Sequence, residues 1–326
     1  PVFLNLTKKL SPAKEKFPQT PKPPFPYKSE DVEYDNADKS IHYWATVTIP
    51  EGKGPFPAAV LITGSGFTDR DETVMGHKVF AVIADALTRN GIVVLRVDDR
   101  GMGKSTGPVT TATSADFAKD VNTSVNYLLT RPEVNKKKVG LIGHSEGGII
   151  APMVANQRSD IDFIVLLAGP GVPINRLMGE QNEAILHSSG YSQKAIDNYV
   201  PYYNKTIAVI NSSLDSAAKT QVLVTDANNW KDTTSKEIFN EFFKTEKEFK
   251  SSVANFTAIV NSNWFKYFLA YDPSINLEKL RCKVLAINGS KDIQVISTSN
   301  LAGIERSLKN SKSKVYTVKE LPGLNH

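Results

Sequence analysis

The chain has 326 residues, of which 40% are hydrophobic and 22% charged, and this balance provides enough apolar surface for a large core, which excludes an intrinsically disordered protein. Its net charge of +5 is spread along the chain with one short basic run at residues 136–138, whereas nucleic-acid binding typically needs clustered basic residues with interleaved aromatics. The single cysteine, Cys282, excludes a disulfide framework, and no apolar run approaches the roughly 20 residues that a membrane-spanning helix needs.

The N-terminal segment is rich in proline, including Pro23, Pro24 and Pro26, and shows neither helical nor strand periodicity. Such a composition favours an extended conformation, so we expect residues 1–30 to form an arm along the domain. The first residue is Pro1 rather than methionine, and we expect that a signal peptide has been removed from a secreted or periplasmic protein. A cytoplasmic protein is the alternative.

The next part of the chain alternates polar and β-favouring residues from Val32 to Ile49, which predicts a leading antiparallel pair of edge strands. Short apolar runs then alternate with helical segments. The predicted strands are 58–63, 92–97, 138–142, 163–167, 284–288 and 314–318, and the predicted helices are 78–90, 115–130, 146–157 and 298–308. Strands that are apolar on both faces and separated by helices are typical of a parallel sheet covered on both sides. The sequence therefore predicts a doubly wound α/β fold.

The predicted helices have recognisable ends, and one long segment interrupts their alternation with strands. Gly91 follows the first helix where a C-terminal glycine is expected, and Ser114 is the predicted N-cap of the second. After the strand at 163–167 a long segment rich in helix formers shows no strand pattern. We predict that residues 173–270 form a helical cap over the carboxyl ends of the strands. The core then comprises residues 31–172 and 271–326.

A G-x-S-x-G motif at residues 143–147 links a predicted strand to a predicted helix. In this setting the sharp turn strains the serine backbone, and Gly143 and Gly147 remove Cβ atoms that would collide. The turn lifts Ser145 to the top of the sheet, where the N–H groups of the helix point toward any negative charge that develops. Ser145 is therefore the candidate nucleophile.

A serine hydroxyl needs a base to accept its proton and an acid to orient that base. Asp292 follows the strand at 284–288 closely, so it belongs to a loop on the side of the sheet that presents Ser145. Of the five histidines, His326 is the one that follows the last predicted strand. Taken singly, Asp292 is equally well explained as a turn former and His326 as a surface residue. Their joint occurrence in the chain order Ser, Asp, His favours a catalytic triad of all three.

Two backbone N–H groups are expected to stabilise the oxyanion of a tetrahedral intermediate. One is that of Glu146, the residue after the nucleophile, and the other comes from the loop after the first core strand. Ser65 occupies the usual donor position in that loop, with Gly66 and Phe67 as alternatives. A simple glycine turn without a catalytic role is the competing interpretation.

Two charged runs, at residues 69–72 and 98–101, combine carboxylates with arginine near predicted strand ends. We interpret them as fixing loops through ion pairs and backbone hydrogen bonds. No group of His, Asp or Glu residues has the spacing of a metal site, so we expect neither a metal nor a cofactor.

Several segments together resemble the bacterial α/β-hydrolases, and more closely the esterases often labelled serine aminopeptidase-like or dienelactone hydrolase-like. These segments are residues 63–66, 69–72, 98–105, 143–148, 264–268, 271–273 and 321–326. The resemblance covers roughly residue 21 to the end of the chain. It implies the α/β-hydrolase fold, hydrolysis of carboxylic esters and a triad of Ser145, Asp292 and His326.

The chain departs from that family pattern in two places. Thr63-Gly64 stands where the usual His-Gly precedes the oxyanion donor. The sequence also stops at His326, where members of the family continue into a final helix. We therefore expect the natural protein to extend beyond this residue; a base at a frayed chain terminus is the alternative.

The substrate is expected to be a small-molecule ester. Candidate residues of an apolar pocket for its acyl or aryl group are Phe67, His144, Trp264, Phe265 and Phe268, although simple helix packing also explains the aromatic cluster. A serine peptidase, a thioesterase or an acyltransferase on the same triad is an alternative, and Glu180 and Glu183 are candidates for binding the amine of a peptide. A non-catalytic ligand-binding relative is the alternative outside the enzymes.

Overall fold

The computed structural model describes residues 17–326. The predicted arm, residues 1–30, therefore lies partly outside the described residues. Residues 17–26 contain neither helix nor strand, and the first strand begins at Tyr27. The end of the predicted arm thus belongs to the sheet, because the residues from Tyr27 onward pair with the second strand, with Tyr27 opposite Pro50.

Most strands of the described residues form one twisted sheet. The strands are β1 (Tyr27–Asp35), β2 (His42–Pro50), β3 (Phe56–Ile62), β4 (Thr73–Val74), β5 (His77–Lys78), β6 (Val93–Val97), β7 (Val134–His144), β8 (Ile161–Leu167), β9 (Lys283–Gly289) and β10 (Tyr316–Leu321). The main sheet has the order β1-β2-β6-β3-β7-β8-β9-β10, and β4 and β5 form a separate short pair. The pairs β1–β2 and β2–β6 are antiparallel and all other pairs of the main sheet are parallel. The predicted mostly parallel sheet with a leading antiparallel pair is confirmed.

Helices cover both faces of this sheet and fill the long connection between β8 and β9. They are α1 (Val79–Arg89), α2 (Ser114–Thr130), α3 (Gly147–Gln157), α4 (Ile174–Ser188), α5 (Gln193–Ile210), α6 (Ser216–Thr233), α7 (Lys236–Phe242), α8 (Glu246–Val260), α9 (Asn263–Leu269), α10 (Ser274–Leu277) and α11 (Ser297–Lys309). Within residues 17–326, none of the helices combines the length and hydrophobicity that crossing a bilayer requires.

The apolar runs of the strands are buried on both faces, as β3 illustrates. Ala58 and Val60 pack into the main core cluster with residues of α2, whereas Ala59 and Leu61 pack on the opposite face against Phe80 of α1. Alternate side chains of a strand point to opposite faces of the sheet, so a strand covered by helices on both faces must be apolar at every position. This is why the fully apolar runs predicted the architecture correctly.

The predicted C-terminal glycine of α1 lies where the sequence places it, whereas the predicted N-cap of α2 does not. Gly91 follows α1 with a φ of +83°, which a residue without Cβ adopts easily. The predicted N-cap of α2, Ser114, is wrong, because the helix begins at that residue and Thr113 is its N-cap. The N–H of Thr113 donates to the carboxylate of Asp116 at 3.0 Å, so the acidic residue in the first turn caps the helix by accepting from the N-cap residue.

The segment predicted as a cap, residues 173–270, contains the helices α4 to α9. Its interior is aromatic: the Trp230 ring lies 5.5 Å from that of Tyr199 and 5.8 Å from that of Phe242, measured between centroids. Helix α9 packs on α2 and on α4, and so approaches the core. The role of this segment as a cap over the site stays a prediction.

Candidate active site

Ser145 lies in the turn between the end of β7 at His144 and the start of α3 at Gly147. Its φ is +52°, in the left-handed region that non-glycine residues rarely adopt, and such strain costs about 1–3 kcal/mol. The Ser145 N–H donates to the carbonyl oxygen of Leu167, at the end of β8, at 2.9 Å. Because β7 lies between β3 and β8, half-buried Ser145 stands at the carboxyl edge of the sheet centre.

The glycines of the motif are required by the close approach of α3 to the strands. A Cβ on Gly143 would overlap the carbonyl group of Gly147, and a Cβ on Gly147 would overlap the carbonyl oxygen of Ile62. Backbone atoms in a sheet cannot move aside for a side chain. The motif spacing read from the sequence is therefore a steric requirement of this turn.

Asp292 lies in the loop after β9, and its side chain is fully buried. Its Oδ2 is 2.7 Å from Nδ1 of His326. Its Oδ1 accepts the N–H groups of Gln294 at 2.8 Å and Val295 at 2.9 Å, which fix the orientation of the carboxylate. With Nδ1 turned toward Asp292, Nε2 is the ring nitrogen of His326 that remains to act as a base.

The segment that carries His326 is held by the loop that carries Asp292. The N–H of Lys291 donates to the carbonyl oxygen of Leu324 at 2.8 Å. A Cβ on Gly289 would overlap that same carbonyl oxygen, so the two segments pack backbone to backbone. The acid and the base are therefore presented by one unit at the ends of β9 and β10.

A ring contact joins this pair to the nucleophile elbow, the turn formed by the motif at residues 143–147. The His144 and His326 rings lie 4.7 Å apart between centroids, and His144 directly precedes Ser145. The structure thus gathers the residues of the predicted triad at one edge of the sheet, although Asp292 and Ser145 are far apart in the chain.

The loop after β3 lies directly against the nucleophile. A Cβ on Gly64 would be 3.1 Å from the Cβ of Ser145, and the Gly64 N–H donates to Oε1 of Glu72 at 2.7 Å. That amide is therefore not available to an oxyanion. Within residues 17–326, the N–H groups of Ser65, Gly66 and Glu146 donate to no protein acceptor. The same holds for the N–H of Phe67, a residue that is 49% exposed.

Asp99 binds two threonines of the loop after β3. Its Oδ1 accepts the Thr63 hydroxyl at 2.8 Å, and its Oδ2 accepts both the N–H and the hydroxyl of Thr68 at 3.0 Å. These threonines flank the predicted oxyanion donors. Burial raises the pKa of Asp99 to about 7, although the hydrogen bonds from both threonines oppose the rise.

Glu72 is a site residue whose role the sequence did not indicate, because it was read simply as part of a loop-fixing charged run. It is buried with a φ of +46°. Besides the Gly64 amide, its Oε1 contacts Nδ1 of His144 at 2.9 Å. A second carboxylate–histidine pair thus lies beside Asp292–His326. No local pattern could have revealed it, because Glu72 and His144 are 72 positions apart.

The side chain of Glu146 is a second group whose role the sequence did not indicate, since the motif points to the N–H of this residue alone. Glu146 is 2% exposed. Its carboxylate accepts hydrogen bonds from the Ser114 hydroxyl at 2.6 Å and from Nε1 of Trp264 at 3.0 Å. Burial raises the pKa of Glu146, and the side chains of Ser114, Trp264 and Ser65 oppose the rise.

The charged runs act as the sequence interpretation proposed. Asp98, after β6, accepts Nη2 of Arg70 at 2.7 Å and the Arg70 N–H at 2.8 Å, which ties the two runs together. Arg100 binds Asp120 of α2 at 2.6 Å. Among residues 17–326, no three His, Cys, Asp or Glu side chains are grouped so that they could hold a metal ion.

The predicted pocket residues separate into two groups. Phe67 is exposed, and His144 and Trp264 are half-buried at the elbow. Phe265 is 1% exposed and packs in the main core, and Phe268 is buried beneath the Trp264 ring, with centroids 5.2 Å apart. The structure therefore places His144 and Trp264 against the residues that adjoin Ser145, Phe67 on the exposed part of the loop after β3, and the other two in packing positions.

The chain is similar to known hydrolases in both sequence and fold. A family model described as serine aminopeptidase, S33, matches residues 75–326. Esterase EstD of Thermotoga maritima is 38% identical over 135 residues, which are 41% of this chain and 32% of that protein. Human acyl-coenzyme A thioesterase 1 is 27% identical over 173 residues, which are 52% of this chain and 37% of that protein.

These curated relatives are longer proteins, and the chain spans about a third of their length. Among solved structures, the esterase Pf2001 of Pyrococcus furiosus aligns with a TM-score of 0.57 at 16% identity, over 92% of this chain and 84% of that one. The structural likeness shows a shared α/β-hydrolase fold.

Proposed function

The chain belongs to the serine aminopeptidase S33 family of α/β hydrolases, and we propose that it hydrolyses carboxylic esters through an acyl-enzyme on Ser145. The observation that carries the proposal is the Asp292–His326 contact of 2.7 Å, in which the His326 ring lies 4.7 Å from that of His144, the residue before a serine held at a φ of +52°. A buried acid that orients a histidine next to a strained serine is the arrangement that activates a hydroxyl nucleophile.

In the proposed cycle, Nε2 of His326 takes the proton of the Ser145 hydroxyl as its oxygen attacks the ester carbonyl carbon. The N–H groups of Glu146 and Ser65 stabilise the oxyanion, with Gly66 and Phe67 as the alternative donors. His326 then gives its proton to the leaving alcohol as the ester C–O bond breaks. A water molecule, deprotonated by His326, attacks the carbonyl carbon of the acyl-enzyme, and His326 returns the proton to the Ser145 oxygen as its bond to the acyl group breaks and the acid is released. Asp292 stays ionised and orients the imidazole throughout.

A peptidase is the first alternative, because the same triad cleaves amides. The two cap carboxylates considered for binding an amine do not favour it. Glu180 already binds Arg176 at 2.7 Å and the Ser299 hydroxyl at 2.5 Å, and Glu183 is exposed. The carboxylate of Glu180 therefore already has a cationic partner and a hydroxyl donor before any substrate arrives.

A thioesterase is the second alternative, and the similarity to acyl-coenzyme A thioesterase 1 supports it. The attack on a thioester uses the same nucleophile, base and oxyanion donors, so the active-site geometry supports both reactions equally. The greater identity to an esterase places carboxylic esters first. An acyltransferase would differ only in the acceptor that reaches the acyl-enzyme.

The experiment that tests the proposal is labelling with a fluorophosphonate probe, which reacts with activated serines. We expect the chain to be labelled and Ser145→Ala to be unlabelled. Ser251→Ala, which removes an exposed hydroxyl from α8, is the matched control and should label like the parent. If the folded parent is not labelled, or if Ser145→Ala still is, the proposed nucleophile is wrong.

A substrate panel then separates the reactions. Short-chain p-nitrophenyl esters, the matching acyl thioesters and aminoacyl p-nitroanilides present the same bond position with three leaving groups. We expect the highest kcat/KM with the esters. A higher value with thioesters or anilides would assign the triad to the corresponding alternative.

A further inference from the structure

The carboxylate of Glu146 has no part in the proposed cycle, which uses the N–H of this residue alone. It is nevertheless buried, and it accepts hydrogen bonds from two elements that are distant in the chain. The donors are the Ser114 hydroxyl at the start of α2 and the Trp264 indole of α9. Glu146 directly follows Ser145, and its N–H is one of the groups that we assign to the oxyanion hole.

The indole is the partner that connects this carboxylate to the predicted cap. Nε1 of Trp264 lies 3.0 Å from Oε1 and 3.2 Å from Oε2 of Glu146, although the two residues are 118 positions apart. The indole also stacks on Phe268, with a centroid separation of 5.2 Å and an interplanar angle of 12°. Since Phe268 is buried one turn further along α9, the indole and the helix must move together.

A buried carboxylate depends on its donors, because it leaves water on folding and must be compensated by hydrogen bonds. Withdrawal of the indole would leave the carboxylate to the Ser114 hydroxyl and to incoming water. The carboxylate would then turn toward them, and the backbone N–H of Glu146 would shift with it. A displacement of about 1 Å in a group that contacts the transition state is enough to slow catalysis substantially.

We propose that Glu146 is a positioning residue that couples the cap to the oxyanion hole, so that docking of Trp264 on its carboxylate holds the backbone N–H of Glu146 in place beside Ser145. This inference rests on the proposed function, because it assigns that N–H to the oxyanion hole of that reaction. The carboxylate of Glu146 thereby supports the task of its own backbone N–H.

The kinetic test uses Trp264→Phe, which keeps an aromatic ring and removes the indole N–H, and Glu146→Gln, which keeps the shape and removes the charge. Trp230→Phe is the matched control, since its indole N–H donates at 2.8 Å to Asn198 inside the cap. With a short-chain p-nitrophenyl ester, we expect kcat to fall about 10- to 100-fold in the first two variants, with KM within about twofold of the parent. Trp230→Phe should keep the parent kcat.

The double variant and a transition-state analogue separate positioning from a merely structural role. If one contact carries the effect, Trp264→Phe/Glu146→Gln should be no slower than the slower single variant. A trifluoromethyl ketone, which forms a tetrahedral adduct on the serine, should bind more weakly in proportion to kcat, because its oxyanion needs the same donors. Additive losses, an unchanged kcat, or weaker binding of substrate and analogue alike would overturn the proposal.

A readout that needs no activity keeps the test decisive. The fluorescence of Trp264 is obtained by subtracting the spectrum of a Trp264→Phe variant from that of the same chain with Trp264, both in the parent and in the Glu146→Gln background. We expect acrylamide to quench Trp264 more strongly in the Glu146→Gln background, with unchanged far-UV circular dichroism. If acrylamide quenches Trp264 equally in both backgrounds, the docking itself is refuted. A parent chain that shields Trp264 from acrylamide but hydrolyses no ester would refute the proposed function instead.

Discussion

Replacing Asp99 with asparagine should stabilise the protein increasingly as the pH rises. In the folded chain, burial raises the pKa of Asp99 to about 7 from 3.8. Asparagine matches the protonated carboxyl in shape: its oxygen can accept from the N–H and hydroxyl of Thr68, and its NH₂ can donate to the Thr63 hydroxyl, which rotates to accept. The substitution therefore removes the ionisation and keeps the hydrogen bonds.

The sign and size follow from proton linkage. A carboxyl whose pKa is raised by folding binds its proton more tightly in the folded state, so its favourable contribution is complete below about pH 4 and is lost as the pH rises to about 7. The full difference corresponds to about 4 kcal/mol, since one pKa unit is worth about 1.4 kcal/mol. Between pH 5 and pH 8 the parent should lose about 2–3 kcal/mol from this residue, and Asp99→Asn should lose none of it.

The assay is urea unfolding followed by far-UV circular dichroism at pH 5, 6, 7 and 8. The free energy of unfolding of Asp99→Asn minus that of the parent should rise with pH. Asp232→Asn, which replaces a carboxylate whose side chain is 67% exposed, is the control and should run parallel to the parent. If the difference for Asp99→Asn is constant across this range, Asp99 ionises alike in both states and the reasoning from its burial fails.

Three further predictions concern the site. Asp292→Asn should lower kcat by about 10⁴-fold with little loss of thermal stability, because the amide no longer selects the tautomer of His326; a kcat within tenfold of the parent would count against the triad. Gly289→Ala should abolish most ester hydrolysis by displacing the loop that carries His326, whereas Gly91→Ala, where a Cβ meets no atom within 4 Å, should cost only about 1 kcal/mol in urea unfolding and keep activity. Glu72→Ala should lower kcat about 10- to 100-fold by removing the acceptor of two hydrogen bonds beside the elbow, and Glu72→Gln should recover most of it; equal loss in both would show that charge matters instead.

The parts of the site that could be predicted from the sequence are those that local geometry dictates. The elbow is an example, because Gly143 and Gly147 are needed by neighbouring backbone and a short motif records that need. Asp292 and His326 could be placed because each follows a strand whose apolar run is legible, and parallel strands end at the same edge of the sheet. The N-cap of α2 was misplaced by one residue because Ser114 and Thr113 are equally suitable by type.

The parallel sheet, the position of the elbow and the three candidate catalytic groups could all be inferred from the amino-acid sequence, since periodicity and chain order encode these locally. The contacts of Glu72 with the Gly64 amide and of the Glu146 carboxylate with the Trp264 indole become visible in the folded chain. Such contacts join residues distant in the chain, and nothing in the neighbourhood of either partner constrains the other. They exist because folding removes each carboxylate from water and leaves it no donors other than those the packed chain brings to it.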